Sequence, residues 1–560
     1  MWRADRWIDL RRTSGEWSRT LAHRLHFSFP GMVLGVGFVC MSLTPSLLPR
    51  NWLVQGLVSG LSAATGYGLG TVLGWLFGKV VKRTPPPGVR RIAWLVLAVI
   101  AVPSVTVLVY QGSRWQRDLY RLMGERPPAR PGYLRVLVAT AAVFAVVLVT
   151  ARTLRAAARA LAGLLARWVP RAAARATGGV AVAVLSLGVL NTAVYDPLMS
   201  HTVESSTSLN DSMSPHVAQP KVAARSGGPQ SAVSWASLGL QGRAFVGGGP
   251  SVDDLRAFSG KPAKQPIRVY TGRRSAPDIH AEAALAVREL QRTGAFQRKV
   301  LCVITTTGTG WVDPRAAESL EYLYNGDSAL VAIQYSYLPS WLSFVVERKK
   351  AEDAGRELFN QVSAAWSALP PDQRPKLLMF GESLGSLGGE AVFGGIQDLV
   401  HRVDGVVWAG PTSANSLWNQ LVDGRDGGSS QIRPTYQQGR TVRFATGTAD
   451  LLAPGDPTPR VVYLQHASDP ANWWSPVLAV HRPDWLSEPR GRDVLGAMRW
   501  YPIVTFWQVT ADLIFADDTP LGHGHRYGGE LAAAWAAVAA PPGWTAGDPA
   551  RLCALVDSHG

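Results

Sequence analysis

A chain of 560 residues has room for two to four domains of about 100 to 200 residues each. Its make-up, 47% hydrophobic and 17% charged with a mean hydropathy of +0.05, excludes a disordered tail or a highly charged nucleic-acid module. The net charge of +16 does not point to nucleic acid either, because residues 1–178 hold 24 Lys and Arg against 5 Asp and Glu, which leaves the remainder at −3.

Crossing the hydrocarbon core of a bilayer takes about 20 apolar residues in a helix. Four uncharged runs reach that length, at 27–49, 51–78, 92–113 and 176–195. A fifth, 136–151, is shorter and spans only if Arg135 and Arg152 stretch their heads to the two interfaces. The expected architecture is therefore an N-terminal α-helical transmembrane domain, residues 1–199, with about five spans and the lipid bilayer as partner. The first run is too long, and too closely followed by the second, to be a cleaved signal peptide. Basic residues collect in 3–24, 79–91 and 152–175, and short basic loops stay on the cytoplasmic side, although 114–135 is basic as well. This predicts a plasma-membrane protein whose C-terminal part is extracytoplasmic. The arginines at 152, 155 and 159, and at 167, 171 and 175, suit a helix lying on an anionic leaflet as well as they suit a solvated face.

Residues 200–234 are rich in Ser, Pro and small polar residues without a hydrophobic period, and read as a linker or loosely packed lead-in. From 235 to 560, short β-branched runs alternate with amphipathic stretches. Strands are predicted at 267–271, 299–306, 329–335, 376–380, 403–409 and 461–465, with helices around 281–293, 348–369 and 384–400. That alternation predicts a mostly parallel, doubly wound sheet. Cys40, Cys302 and Cys553 are too few and scattered for a disulfide framework or metal cluster and read as core residues.

The strongest chemical signal is an apolar strand running into Gly381-Glu382-Ser383-Leu384-Gly385 and then a helix. Small residues on both sides of Ser383 let the chain turn sharply and push its hydroxyl clear of the sheet, as in a nucleophile elbow. A serine hydroxyl needs a base, and the base an orienting acid, in the chain order Ser, acid, His. The base is expected from the Gly-rich loop 521–527, with His525 preferred and His523 as the alternative; Asp469, directly after a predicted strand, is the acid. The oxyanion of an acyl intermediate needs backbone donors, expected from Leu384 and from the loop Thr307, Gly308, Thr309 and Gly310. Those two glycines make only half a dinucleotide fingerprint. No cofactor and no metal is expected. Trp473, Trp474, Trp485, Trp500 and Trp507 fall between the proposed acid and base, where they form either a pocket wall or ordinary core.

Beyond these features, SLTPSLLPR, ELQRTGAFQRKVL, TTTGTGWVDP, QYSYLPSW, RPKLLMFGESLGS, DGVVWAGP, VVYLQHASDPANWW and PLGHGHRY resemble the α/β-hydrolase superfamily. Within it, they resemble the family of actinobacterial multi-pass membrane proteins with a C-terminal α/β-hydrolase catalytic domain. The resemblance covers nearly the whole chain, matches best between residues 235 and 535, and implies a serine hydrolase tethered to the plasma membrane. The expected function is a membrane-anchored esterase or lipase acting on ester or lipid substrates of the cell envelope. Two alternatives are an acyltransferase using the same serine and a catalytically silent transport or scaffold protein.

Overall fold

The computed structural model describes residues 27–81, 85–128, 132–212, 217–452, 458–545 and 547–559. The basic cluster expected at 3–24, together with Lys82, Arg83 and Arg130, lies outside the described residues. The first part is a helical bundle: α1 Phe29–Ser42, α2 Trp52–Val80, α3 Pro87–Leu122, α4 Tyr133–Leu165 and α5 Arg171–Leu190. A π-helical turn, Asn191–Tyr195, then leads into α6 Asp196–Asp211.

Three described helices, Pro87–Leu122, Leu134–Leu165 and Arg171–Ala193, are long and apolar enough to cross a membrane, against about five expected. The difference lies in α1 and α2. The first apolar run does not stay helical, because Pro45 and Pro49 cannot continue a helix and α1 stops at Ser42. Its 14 residues rise only about 21 Å at 1.5 Å each, short of the hydrocarbon core. In α2, glycines replace apolar bulk so that neighbours can approach. A Cβ on Gly70 would lie 2.3 Å from Pro30 O, and one on Gly56 2.4 Å from the Ala139 Cβ. Close backbone approach through small residues packs α2 between α1 and α4 at the expense of hydropathy. The outer faces of α3, α4 and α5 are apolar, with Val99, Val102, Val138, Val146 and Leu187 all 65–70% exposed.

The second part holds seven parallel strands, β1 Ile267–Thr271, β2 Val300–Thr305, β3 Ser328–Ile333, β4 Lys376–Glu382, β5 Gly405–Ala409, β6 Val442–Ala445 and β7 Val461–Leu464. Their order is β1-β3-β2-β4-β5-β7-β6. Six match the predicted runs, because strands buried on both faces read as continuous apolar segments. The missing one, β6, is a four-residue edge strand whose Arg443 is half-buried. Side chains alternate between two cores. Leu301, Val303 and Met379 pack with Leu290 and Phe359 on one face; Cys302, Ile304 and Phe380 pack with Leu320, Leu531 and Cys553 on the other. The helix predicted at 384–400 is two, α7 Leu384–Glu390 and Ile396–Arg402, separated by Gly394-Gly395.

The described part of 200–234 is tied to the sheet. Arg225 bridges to Arg268 of β1, Ser226 and Ser231 donate to Glu289 Oε2 at 3.2 and 2.8 Å, and Arg243 donates to Asn210 O at 3.0 Å. The two parts also share a core. Leu47 and Leu48, from the loop after α1, and Met123, just after α3, are almost fully buried in the same cluster as Val303 and Met379. The loop and the N-terminal turns of α2 meet the helix Val504–Ile514, here α8, where Val54 and Val58 pack on Ala511.

Candidate active site

At the carboxyl edge of the sheet, β4 passes into α7 through Ser383, which adopts φ 55° and ψ −123°. A non-glycine residue in this conformation is strained, and such strain persists only where the surroundings over-determine it. Here the Ser383 amide donates to Ala409 O at 2.9 Å, and its carbonyl accepts from Ser386 Oγ at 2.6 Å. The flanking glycines are a steric demand. A Cβ on Gly381 would lie 2.5 Å from the Gly385 backbone, and one on Gly385 would lie 2.2 Å from Thr305 O.

Asp469 follows β7 and is fully buried. Its Oδ1 accepts from the Ala471 amide at 2.8 Å, while Oδ2 accepts from the Tyr527 hydroxyl at 2.9 Å and lies 2.7 Å from His525 Nδ1. His525 Nε2 is buried and makes no hydrogen bond among the described residues, and His525 and Ser383 line the same cavity. His523, the alternative base, is not brought to Asp469. Its Nδ1 is 3.5 Å from Asp493 Oδ2, and it borders neither cavity at Ser383.

The separation of the two histidines comes from how their loop is held. Gly524, at φ 54°, donates its amide to Ser468 Oγ at 2.8 Å, and its carbonyl lies 2.8 Å from His466 Nδ1. The His466 ring stacks on Tyr527 at 4.3 Å, and its Nε2 lies 3.2 Å from Glu530 Oε2. Sequence reasoning assigned nothing to His466 or Tyr527. The signal available in the sequence was proximity, since His466 lies three residues before Asp469 and Tyr527 two after His525.

Of the expected oxyanion donors, Leu384 opens α7, where a helix amide has no helical partner. In the other loop, the Thr307 amide donates to Trp311 O at 3.1 Å and the Gly310 amide to Thr307 O at 2.8 Å. This narrows the amides free within the loop from which the second donor is expected. A tight turn with Gly310 at φ 85° consumes two amides and leaves those of Gly308 and Thr309 without a partner among the described residues.

The electrostatics are unusual for the number of acids. Burial works against a charged His525, but Asp469 beside it, then Asp517 and Glu382, push its pKa up to about 10. Burial, followed by the neighbouring Asp313, holds the Glu382 carboxyl well above the usual range; burial raises Asp313 itself to about 6. The five tryptophans line neither cavity at Ser383. Trp473 and Trp485 are core, with rings 5.5 Å apart, and Trp474 packs on Phe344 and Phe506.

A parallel sheet, a strained serine between strand and helix at its carboxyl edge, and a late-loop histidine held by a carboxylate after β7 define a hydrolase-type α/β protein. Residues 267–552 match the Alpha/beta-hydrolase family and residues 43–250 match the Alpha/beta-hydrolase family N-terminus; the chain belongs to this family. No curated protein and no solved structure matches it. Membership suggests hydrolase activity.

Proposed function

We propose that the protein is a membrane-anchored serine hydrolase of the carboxylic-ester type, acting on ester or lipid substrates of the cell envelope. Ser383 is the nucleophile, His525 the base and Asp469 its orienting acid. The observation that carries this reading is the 2.7 Å contact between Asp469 Oδ2 and His525 Nδ1, with Nε2 left unpartnered beside a cavity that Ser383 also lines. A carboxylate at Nδ1 fixes the tautomer whose Nε2 can take a proton. Ser383 Oγ bonds to the ester carbonyl carbon while its proton passes to Nε2. The carbon–oxygen bond to the alcohol then breaks, and Nε2 returns the proton to the leaving oxygen. Water repeats the sequence, giving its proton to Nε2 and releasing the acid and the free serine. The amides of Leu384, Gly308 and Thr309 stabilise the oxyanion.

The apolar outer faces of α3 to α5 support anchoring, since a contiguous exposed apolar surface of this kind marks an interaction with lipid or protein. The N-terminal end of α2 touches α8, and 29 residues put its other end, with Lys79, about 43 Å away. Arg152 to Arg167 lie toward the distal end of α4 and in the turn that follows it, and Arg171 and Arg175 lie in the first turns of α5. Basic ends inside mean the α/β unit outside, on the extracytoplasmic face of the plasma membrane. The test is covalent labelling of the full-length protein by a fluorophosphonate probe. Labelling of the wild type and none of Ser383→Ala supports the reading; an unlabelled wild type overturns it.

A further inference from the structure

The space at Ser383 has two arms of opposite character, which meet at Ser340, Ser383, Asp517 and His525. The smaller, about 130 Å³, runs between the helix Ser340–Val346 and α8, walled by Trp341, Phe344, Leu513 and Ile514. Trp341 and Ile514 are half-exposed and leave its outer end open. The larger, about 340 Å³, is lined by Gln241, Trp311, Asp313, Arg315, Glu382 and Arg526.

Two side chains of the larger arm keep buried polar atoms without a partner among the described residues, Glu382 Oε2 and Arg315 Nε. Glu382 is 3% exposed and immediately precedes the serine. An unsatisfied buried polar atom costs about 1–3 kcal/mol, so a ligand group that supplies the missing bond is favoured. The mixture of carboxyl and guanidinium groups narrows the class of ligand. A phosphate or carboxylate headgroup would meet Asp313, Glu382 and Asp517, and a bare ammonium would meet Arg315 and Arg526. A neutral hydroxyl both donates and accepts, and so suits carboxyls and guanidinium together. An indole edge or face beside them offers an apolar surface to the C–H side of a ring.

We propose that the site takes an acyl ester of a neutral polyhydroxylated alcohol, a sugar or polyol. The acyl chain lies in the arm between Trp341, Phe344 and Ile514, and the alcohol lies in the arm where Glu382 hydrogen-bonds a hydroxyl and Trp311 packs on the ring. This inference rests on Ser383 being the nucleophile. The bonds made and broken are those of ester hydrolysis as written above, with the polyol as the leaving alcohol.

The full-length protein in detergent tests it with three octanoyl esters, 6-O-octanoylglucose, methyl octanoate and p-nitrophenyl octanoate, and with dioctanoylphosphatidylglycerol. The expected result is a kcat/KM for the glucose ester at least about tenfold above that for methyl octanoate, because a site built for hydroxyls rejects an analogue lacking them. That ratio should fall toward one in both Glu382→Gln and Trp311→Ala, each checked for folding by its Tm. Ile514→Trp should lower kcat/KM for octanoyl relative to acetyl esters and leave the glucose-to-methyl ratio alone. The polyol assignment is overturned, with the serine reading intact, by Ser383-dependent cleavage of p-nitrophenyl octanoate without preference for the glucose ester. Faster cleavage of the phosphatidylglycerol, or a ratio that neither variant moves, overturns it equally. A protein in which Ser383→Ala cleaves p-nitrophenyl octanoate as fast as the wild type overturns both.

Discussion

Arg50 Nε lies 2.8 Å from Asp512 Oδ1 with both side chains almost wholly buried, at 2% and 0% exposure. Around this pair, Asp512 Oδ2 accepts from Ser46 Oγ and from the Leu47 backbone amide, Arg50 Nη2 donates to Gln508 O at 2.8 Å, and Gln508 Nε2 donates to Thr44 O. The loop after α1 is thereby fastened to α8 at the residue immediately before Leu513 and Ile514, which line the apolar arm. The family match to the N-terminal region begins at residue 43, the start of this loop.

Breaking one side of a buried pair leaves an uncompensated charge and costs about 3–5 kcal/mol. Arg50→Met should therefore lower the Tm of the full-length protein markedly. The double variant Arg50→Met, Asp512→Leu should recover only part of the loss, because Ser46 and the Leu47 amide lose their acceptor as well. Thermal unfolding in detergent reads both. A single variant as stable as the wild type would mean that the pair does not hold the two parts together.

The proposed catalytic groups act as a unit, so their losses should be alike rather than additive. Ser383→Ala and His525→Ala should each lower kcat on p-nitrophenyl octanoate by about 10⁴-fold or more. His523→Ala, whose side chain faces Asp493, should cost no more than a modest factor. Steady-state kinetics on the three variants decide it, and exchanged costs for the two histidines would make His523 the base.

What the sequence could and could not reveal follows from the range of the forces involved. The elbow is legible because Gly381, Ser383 and Gly385 satisfy a steric demand within five residues. Six strands are legible because burial on both faces imposes apolar runs. Which of His523 and His525 stands beside Asp469 is not, since it is set by Ser468 and His466 gripping Gly524 from more than 50 residues away. Nor is the role of SLTPSLLPR: as part of an apolar run it looks like membrane, and only the distant Asp512 and Gln508 turn it into a docking loop. Likewise Gly56 and Gly70 lower the hydropathy of α2 for the sake of neighbours that a linear reading does not see.

The acids around His525 give a pH dependence with a definite sign. Its pKa of about 10 means that the protonated form, which cannot accept the serine proton, dominates at neutral pH. Turnover should rise with pH on the alkaline side of neutrality. Removing a negative neighbour weakens the hold on the imidazolium, so Asp517→Asn should move the acid limb of the kcat/KM profile to lower pH. A limb near 6.5 in the wild type, or one unmoved by Asp517→Asn, would show that Asp469 and Asp517 do not set the charge of His525.

The proposed topology makes opposite demands on two exposed sites. Arg90 stands at the start of α3, at the end of the bundle remote from the sheet, and Asp372 stands on the surface of the α/β unit. Native thiols interfere little, because Cys302 and Cys553 are buried and Cys40 partly so. In intact cells, a membrane-impermeant maleimide should modify Asp372→Cys at once and Arg90→Cys only after permeabilisation. The converse pattern would put the α/β unit inside the cell, and the basic ends of α2 and α4 would then face outward, against the distribution of charge that short loops normally follow.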